Sequence, residues 1–442
     1  MWARIKRLLA NKKIMVRFAF TLVILLVFRI VSYIPVPLYN TAAIDAMFQQ
    51  SGNFFSILNN FTGQALQRFS ILALGISPYI TASIVLQLLQ MVIPAMKELA
   101  ETGEAGKAKI NRWTRILAII LAFIQGYALI LGTSTGQGSV FHWRYEGSDV
   151  VGHIYMAITI AAGTAFSIWI ADMVTKKGVG NGTSLLIVAG IVTSIPTMFS
   201  VMWQYYIIDK TNGNWSYVWF VVITLLYLGI LLAVVFMESA QRKIPIQYAN
   251  RQGKSDANIP MKLNSAGVIP VIFASTILSI PMTITGFFTQ NVSSGWGYWI
   301  DQIFGYTNPI GFILYVVLIV VFSFFYAFLQ IDPGKIADNL SKANAYIPGV
   351  RPGEDTKDFV AKLLFKVTII GTVYLVILAI LPIVTSAIFG LKGAAGQAII
   401  LGGTSLLIVV GVAIETVEQL ETDVEQDQYK GIFGWFKWLL FY

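Results

Sequence analysis

The residues of this chain that could do chemistry are few, and they do not form a catalytic set. The run 253–255 (Gly-Lys-Ser) has the end of a phosphate-binding loop, but Tyr248 stands where that loop needs its first glycine. The only two histidines, His142 and His153, flank one loop, and the chain has no cysteine. Histidine-ligated metals, thiolate chemistry and disulfides are therefore not expected. We predict no enzymatic activity, no catalytic residue, no cofactor and no metal site.

Charged residues inside apolar segments could carry protons, but those of this chain lie near the segment ends. Arg29, Asp172 and Glu415 are the clearest examples. A proton relay needs ionisable groups deep in the membrane, and charges near a span end usually pair or reach the headgroups. We therefore expect these three residues to be structural.

The apolar segments offer uncharged polar side chains instead, with isoleucines beside them. Ser, Thr, Asn and Gln recur in the second, fifth, seventh and tenth segments, next to Ile76, Ile80, Ile187, Ile272 and Ile408. An apolar constriction between wetter zones can hold back ions by dewetting, without a charged filter. Isoleucine is common in membrane spans, however, and periodicity alone does not distinguish these five from lipid-facing residues.

The elements that must position these residues are membrane spans. The chain is 56% apolar and only 12% charged, whereas a soluble domain has about 25% charged residues. Ten segments each hold roughly the 20 apolar residues that cross about 30 Å of hydrocarbon. They are 17–34, 70–93, 113–132, 154–174, 182–201, 218–237, 266–288, 310–331, 363–388 and 398–417.

The basic residues predict the orientation of these spans. Of the 31 Lys and Arg residues, 23 fall in every second gap, and four lie within or beside the spans. The gaps on the other side hold only Arg68, Arg144, Lys210 and Lys392. The positive-inside rule then places both termini in the cytoplasm, with a multi-pass chain between them.

Two long loops on the cytoplasmic side, 238–265 and 332–362, have apolar residues interleaved with their charges. We predict that they are ordered, and the alternative is a flexible solvated linker.

A weak internal repeat predicts two inverted halves. Residues 75–84 and 267–276 share Gly, Pro, Ile, Ala and Ser at five of ten positions, and they open spans that are five apart. Five crossings reverse the direction of the chain, as in an inverted repeat. Pro78 and Pro270 would each break a helix inside a span; ordinary kinked helices are the alternative. We predict an N-terminal half 1–201, a C-terminal half 202–417 and a cytoplasmic tail 418–442.

Several short segments, in order along the whole chain, give a family resemblance. They are Ile-Pro-Val-Pro (34–37), 63–70, 74–83, Gly-Glu-Ala-Gly (103–106), Gly-Asn-Gly (180–182), 242–248, Ala-Asp-Asn-Leu (337–340), 347–353 and 402–410. In these segments the chain resembles the SecY family, the channel subunits of bacterial protein translocation. The resemblance implies an all-α polytopic membrane protein, with ten transmembrane helices in two inverted five-helix halves around an hourglass pore.

The resemblance also implies site residues. The five isoleucines named above align with a pore ring, and residues from about 57 to 68 align with a plug. A lateral gate would lie between spans 2 and 7, with Gln87, Gln125 and Asn264 as its polar contacts. The plug residues are Asn60, Phe61, Thr62, Gly63, Gln64, Ala65 and Leu66. The residues that would dock a partner are Arg242, Lys243, Arg251, Lys254 and Arg351.

The function implied is a protein-conducting channel of the bacterial plasma membrane. It would pass unfolded secretory polypeptides, and it would release signal peptides and membrane spans sideways into lipid. The implied partners are SecE, SecG, the SecA motor ATPase, the ribosome, signal-peptide-bearing polypeptides and membrane lipid. Two alternatives stay open on the residues alone: a secondary transporter for a neutral solute, and an insertase-like scaffold without a pore.

Overall fold

The computed structural model of the chain describes residues 12–37, 62–134, 149–209, 216–248, 257–288, 295–305, 308–388 and 405–422. These residues are mostly helical. The helices are α1 (Lys12–Val31), α2 (Ser77–Val92), α3 (Pro94–Glu101), α4 (Glu104–Ser134), α5 (Asp149–Lys177), α6 (Gly182–Trp203), α7 (Ser216–Ser239), α8 (Ile269–Phe288), α9 (Trp296–Phe304), α10 (Pro309–Gln330), α11 (Pro333–Lys342), α12 (Glu354–Ile388) and α13 (405–422). A π-helical turn, Gln204–Ile208, continues α6.

Each predicted span has a counterpart among these helices. Seven helices of the described chain are long and apolar enough to cross a membrane: α1, α4, α5, α6, α7, α10 and α12. The pair α2 and α3 passes the same test together, although the two helices are bent by 104°. The two remaining predicted spans correspond to α8 and α13.

The second span begins later than predicted. Residues 71–76 form turns, and α2 starts at Ser77, with Pro78 in its first turn. Proline is tolerated there because the first helical amides have no intrahelical acceptor. Pro270 is likewise the second residue of α8. Neither proline therefore breaks or kinks a span, and the expectation that they would is wrong.

The bend after α2 follows from another proline. Ile93, just before Pro94, has extended dihedral angles (φ −101°, ψ 108°), because the residue before a proline is disfavoured in the helical region. The α3 helix then turns back against the first turn of α4. A side chain at Gly106 would overlap the carbonyl of Leu99, so the two helices meet at a glycine.

Contacts divide the chain into two compact units. The first is Met1–Thr197 with Gly286–Gln290 and Val412–Tyr442; the second is Met198–Thr285 with Asn291–Gly411. The division at residues 201 and 417 that the sequence predicts stays a prediction.

The first unit is organised around α4 and α5. A hydrophobic cluster joins residues of both helices, such as Ile130 and Ile160, to Leu66, Phe69 and Leu74. The backbone of Ile71 lies so close to α5 that a side chain at Gly163 would overlap its carbonyl. The turns before α2 are thus built into the helical packing of this unit.

The second unit contains the two long loops, and they are ordered where the structure describes them. Strand β1 (Gln241–Pro245) pairs antiparallel with β3 (Asn258–Lys262), and β2 (Gln247–Tyr248) pairs antiparallel with β4 (Ala345–Tyr346). The second pairing joins one loop to the other. We call residues 240–248, 257–263 and 331–367 the paired-loop region.

The paired-loop region has its own apolar core. Ile244, Met261, Ile347 and Leu364 are each less than 5% exposed and belong to one cluster. The apolar residues interleaved with the charges are thus the ones that face inward. A flexible linker is therefore the wrong interpretation for the described part of these loops.

Candidate functional site

The segment between α1 and α2, residues 62–76, is a series of turns, and we call it the turn segment. It contains Thr62, Gly63, Gln64, Ala65 and Leu66, five of the predicted plug residues. The other two, Asn60 and Phe61, lie outside the described residues. Ser70 forms an antiparallel bridge with Pro35, which follows α1.

The start of the turn segment is held by polar contacts. Arg29, in the last turn of α1, donates from Nη1 to the carbonyl of Gly63 at 2.5 Å. Gln64 donates from Nε2 to Oγ1 of Thr197 on α6 at 2.7 Å. A Cβ added at Gly63 would lie 2.9 Å from the Cα of Gly190 on α6 and 3.0 Å from Nη1 of Arg29. The segment therefore enters between α1 and α6 at a position that only glycine fits.

The rest of the turn segment is held by apolar packing and backbone hydrogen bonds. Ala65, Leu66 and Phe69 are only 1–2% exposed. The amide of Val36 donates to the carbonyl of Phe69 at 2.9 Å, and the amide of Ile71 donates to Ile34 at 3.0 Å. This part is continuous with the hydrophobic cluster of α4 and α5.

Two arginines meet at one tyrosine beside the turn segment. The guanidinium carbons of Arg68 and Arg29 lie 3.9 and 4.8 Å from the centre of the Tyr33 ring. Cations are attracted to the face of an aromatic ring, so this contact reinforces the joint between α1 and the turn segment.

None of the five predicted ring isoleucines is an exposed side chain. In the first unit, Ile76 and Ile187 are buried and Ile80 is half-buried. In the second unit, Ile408 is buried and Ile272 is half-buried. By contrast, Ile120 on α4 and Ile313 on α10 are more than half exposed. The ring itself stays a prediction.

The predicted gate residues have the following surroundings. Gln87, on α2, donates from Nε2 to Oγ of Ser83 one turn earlier at 3.3 Å, and Gln125 is half-buried on α4. Asn264, only 3% exposed, donates from Nδ2 to the Glu238 carboxylate at 2.7 Å and to the carbonyl of Gly267 at 3.1 Å. The role of these residues in a gate stays a prediction.

Glu238 is a buried carboxylate that the sequence analysis did not single out. It lies in the last turn of α7 and is 7% exposed. A buried charge needs compensating hydrogen bonds, and Asn264 provides one of them. Together the two residues fix the turn from which α8 begins, within the second unit.

The predicted docking residues that the structure describes lie on the paired-loop region. Arg242 and Lys243 are exposed on β1, and Arg351 is exposed between two turns. The carbonyl of Arg351 accepts a hydrogen bond from Oγ1 of the buried Thr356 at 2.8 Å, so its backbone is fixed. Arg251 and Lys254 lie outside the described residues.

The charges near the span ends are structural where the structure gives them partners. Asp172 on α5 pairs with Arg115 on α4, with Oδ2 and Nη2 2.8 Å apart, and Arg29 bonds to Gly63. Among the described residues, no three His, Cys, Asp or Glu side chains come together to hold a metal ion.

Comparisons with known proteins agree with this architecture. The SecY family model matches residues 70–417. The protein translocase subunit SecY of Staphylococcus epidermidis is 44% identical over 97% of this chain and 98% of its own length. That of Staphylococcus aureus is 43% identical over 96% of this chain and 97% of its own length. This chain belongs to the SecY family.

Solved structures of the SecY and Sec61 type share its fold. A structure described as that of a protein-conducting channel has a TM-score of 0.63 and covers 92% of this chain and 91% of its own, at 18% identity. Sec61 from a canine ribosome–channel complex has a TM-score of 0.60 and covers the same shares, at 17% identity. The predicted class, an all-α polytopic membrane protein, is confirmed.

Membership of the SecY family decides between the three functions that the sequence left open. The chain is a channel subunit of a protein translocase and not an enzyme. A solute transporter and a poreless insertase are therefore set aside.

Two site features had no signal in the sequence. The partner of Arg29 is a backbone carbonyl, and the partner of Gln64 is one threonine among many.

Proposed function

We propose that this chain forms the polypeptide-conducting channel of a translocase in the bacterial plasma membrane. Unfolded secretory polypeptides pass through it, and signal peptides and membrane spans leave sideways between spans 2 and 7. The observation that carries the proposal is the match to SecY translocase subunits along nearly the whole chain, at 44% identity.

The seal of this channel rests on side chains without charge. Ile76, Ile80 and Ile187 lie in one unit, Ile272 and Ile408 in the other, and all five are half-buried or buried. An apolar ring can exclude ions by dewetting and still widen around a polypeptide. The turn segment, as a plug, adds a second barrier.

Energy for transport must come from outside the chain. The sequence has no nucleotide-binding loop, so we propose that SecA, or an elongating ribosome, supplies it. Sec61 in the canine complex is described with a ribosome. The exposed basic residues Arg242, Lys243 and Arg351 would dock either partner. SecE and SecG complete the assembly, and the positive-inside pattern places both termini in the cytoplasm.

The test is reconstitution into liposomes with SecE, SecG, SecA and ATP, using a precursor that carries a signal peptide. Wild-type protein is expected to protect the precursor from external protease while it blocks ions. A variant with Ser at 80, 187, 272 and 408 should leak ions, because hydroxyl groups allow the constriction to fill with water.

A matched control changes four isoleucines that are more than half exposed. Ile120, Ile158, Ile313 and Ile370 are 51–63% exposed, with two in each unit. Replacing them with Ser should leave the ion leak at its wild-type value. Equal leakage from both variants would refute the assignment of the ring. Absence of protected precursor with wild-type protein would refute the proposed function.

A further inference from the structure

The contacts of the turn segment change in kind between Gln64 and Ala65. Before this point, Thr62 and Gly63 are buried but bring no large apolar side chain, and Gly63 and Gln64 are fixed by two side chains, Arg29 and Thr197. After it, the segment is fixed by buried apolar side chains and main-chain hydrogen bonds, with Arg68 stacked on Tyr33. Polar contacts can be exchanged for contacts with water or with a passing chain, whereas buried apolar surface cannot be exposed without a penalty.

Arg29 is suited to hold a segment that must also be released. Its guanidinium lies in the last turn of α1, where the helix dipole favours a positive charge. From there it reaches a carbonyl 34 residues further along the chain. The bond to a charged donor is stronger than a neutral one. After release, Oγ of Ser32 and the hydroxyl of Tyr33, at 3.3 and 3.4 Å, remain as partners of Arg29.

Gln64 is held in a strained conformation. Its φ is +66°, a region that residues other than glycine rarely adopt. Such strain persists only where the surroundings impose it. The side chain of Gln64 is held by its bond to Thr197 at 2.7 Å, and loss of that bond would allow the backbone at Gln64 to relax.

The next residues cannot move with Gln64. Leu66 and Phe69 belong to the hydrophobic cluster of α4 and α5. Phe69 also accepts a hydrogen bond from Val36, and Ser70 is bridged to Pro35. A displacement of the plug that included these residues would open the core of the first unit.

We propose that Arg29 and Thr197 are positioning residues that hold Thr62, Gly63 and Gln64 in the sealed channel. When a polypeptide passes, these three residues leave and the chain hinges between Gln64 and Ala65. Residues 65–76 stay packed. The moving part of the plug thus ends at Gln64 and not at Arg68, the end that the sequence suggested. This inference rests on the proposed function.

Two tethers test the position of the hinge. The chain has no cysteine, so the two cysteines introduced in each variant are the only thiols that can be linked. Q64C with T197C, joined by a short reducible bismaleimide, ties the moving part to α6. P35C with S70C, joined as a disulfide across the bridge, ties the part that stays. The first tether is expected to stop SecA-driven translocation until reductant is added, and the second is expected to leave it unchanged.

Substitutions of Arg29 test the holding role. R29Q removes the charge-assisted bond to Gly63, and we expect the ion leak of the resting channel to rise about 10-fold. R29K keeps the charge and should restore most of the seal. Y33F leaves the bond between Arg29 and Gly63 intact, so its leak should equal that of the wild type.

The outcomes distinguish failure of the proposed hinge from failure of the proposed channel function. If the unlinked cysteine variants and the wild type all fail to translocate, the proposed function is wrong. If they translocate and both tethers stop transport, the hinge lies after residue 70. If neither tether stops transport, or if R29Q seals as well as R29K, the holding role is refuted.

Discussion

The turn segment and the paired-loop region both lie next to membrane spans, yet they are held in different ways. The paired-loop region has two antiparallel strand pairs and an apolar core in which Leu364 is fully buried. In the turn segment, the apolar core begins at Ala65, after the buried Thr62 and Gly63. Its first residues depend on Arg29 and Thr197.

The difference matches the work that each region is proposed to do. A surface that docks a motor must keep its charged residues in place under load, and a core with paired strands achieves this. A plug must leave and return, and a few exchangeable hydrogen bonds permit this. Regions of low local stability are where moving elements are found.

Reversal of charge at Arg351 should have the largest effect. The backbone carbonyl of this exposed residue is fixed by the hydrogen bond from Thr356. R351E would place a carboxylate there, and like charges at a docking site cost several kcal/mol. We expect SecA-driven translocation to be lost, measured as protease-protected precursor in proteoliposomes.

The control for this variant is K335E, which makes the same change of net charge at an exposed residue of α11. It should translocate at the wild-type rate. Normal transport by R351E would mean that the motor does not use Arg351 of the paired-loop region.

A cavity in the core of the paired-loop region should loosen it. Leu364 is 0% exposed, and replacing a buried leucine with alanine typically costs about 2–5 kcal/mol. We expect L364A to speed hydrogen exchange at the amides of Ile244 and Met261. F365A, at a side chain that is 50% exposed, should leave that exchange unchanged. Equal exchange rates in the two variants would mean that the apolar core does not hold the strands of the paired-loop region in place.

Two glycines of the turn segment should differ when each is changed to alanine. Both have positive φ, +66° at Gly63 and +52° at Gly75, so each substitution has a backbone cost of about 1–3 kcal/mol. Only G63A also places a Cβ 2.9 Å from backbone on α6; at Gly75 the nearest atom is 3.4 Å away. We expect a higher resting ion leak from G63A than from G75A. The same leak from both would show that the close approach to α6 does not contribute to the seal.

Hydropathy was enough to locate the spans, because each span must be apolar over its length. It could not separate the turns at residues 71–76 from the helix that follows, since both are apolar. The interleaved Ile244 and Ile347 correctly indicated ordered loops. The pairing of β2 with β4, whose partners are 97 and 99 residues apart, had no local signal.

The contacts that hold the turn segment could not be predicted from the sequence, for a different physical reason. Arg29 bonds to a backbone carbonyl, and every residue carries one of these. Glu238 and Asn264 are 26 residues apart, and neither residue type predicts the other. Such contacts depend on how helices pack, which periodicity does not encode.

The close approach of Ile71 to Gly163 has a consequence for biosynthesis. The turn segment cannot settle until α5 is in the membrane, about 90 residues later in the chain. At about 5–20 residues per second of synthesis, that delay is about 5–20 s. Thr197 emerges later still. During this interval α1 and α2 have been synthesised while residues 62–76, which precede α2, still lack the surface of α5 against which they pack.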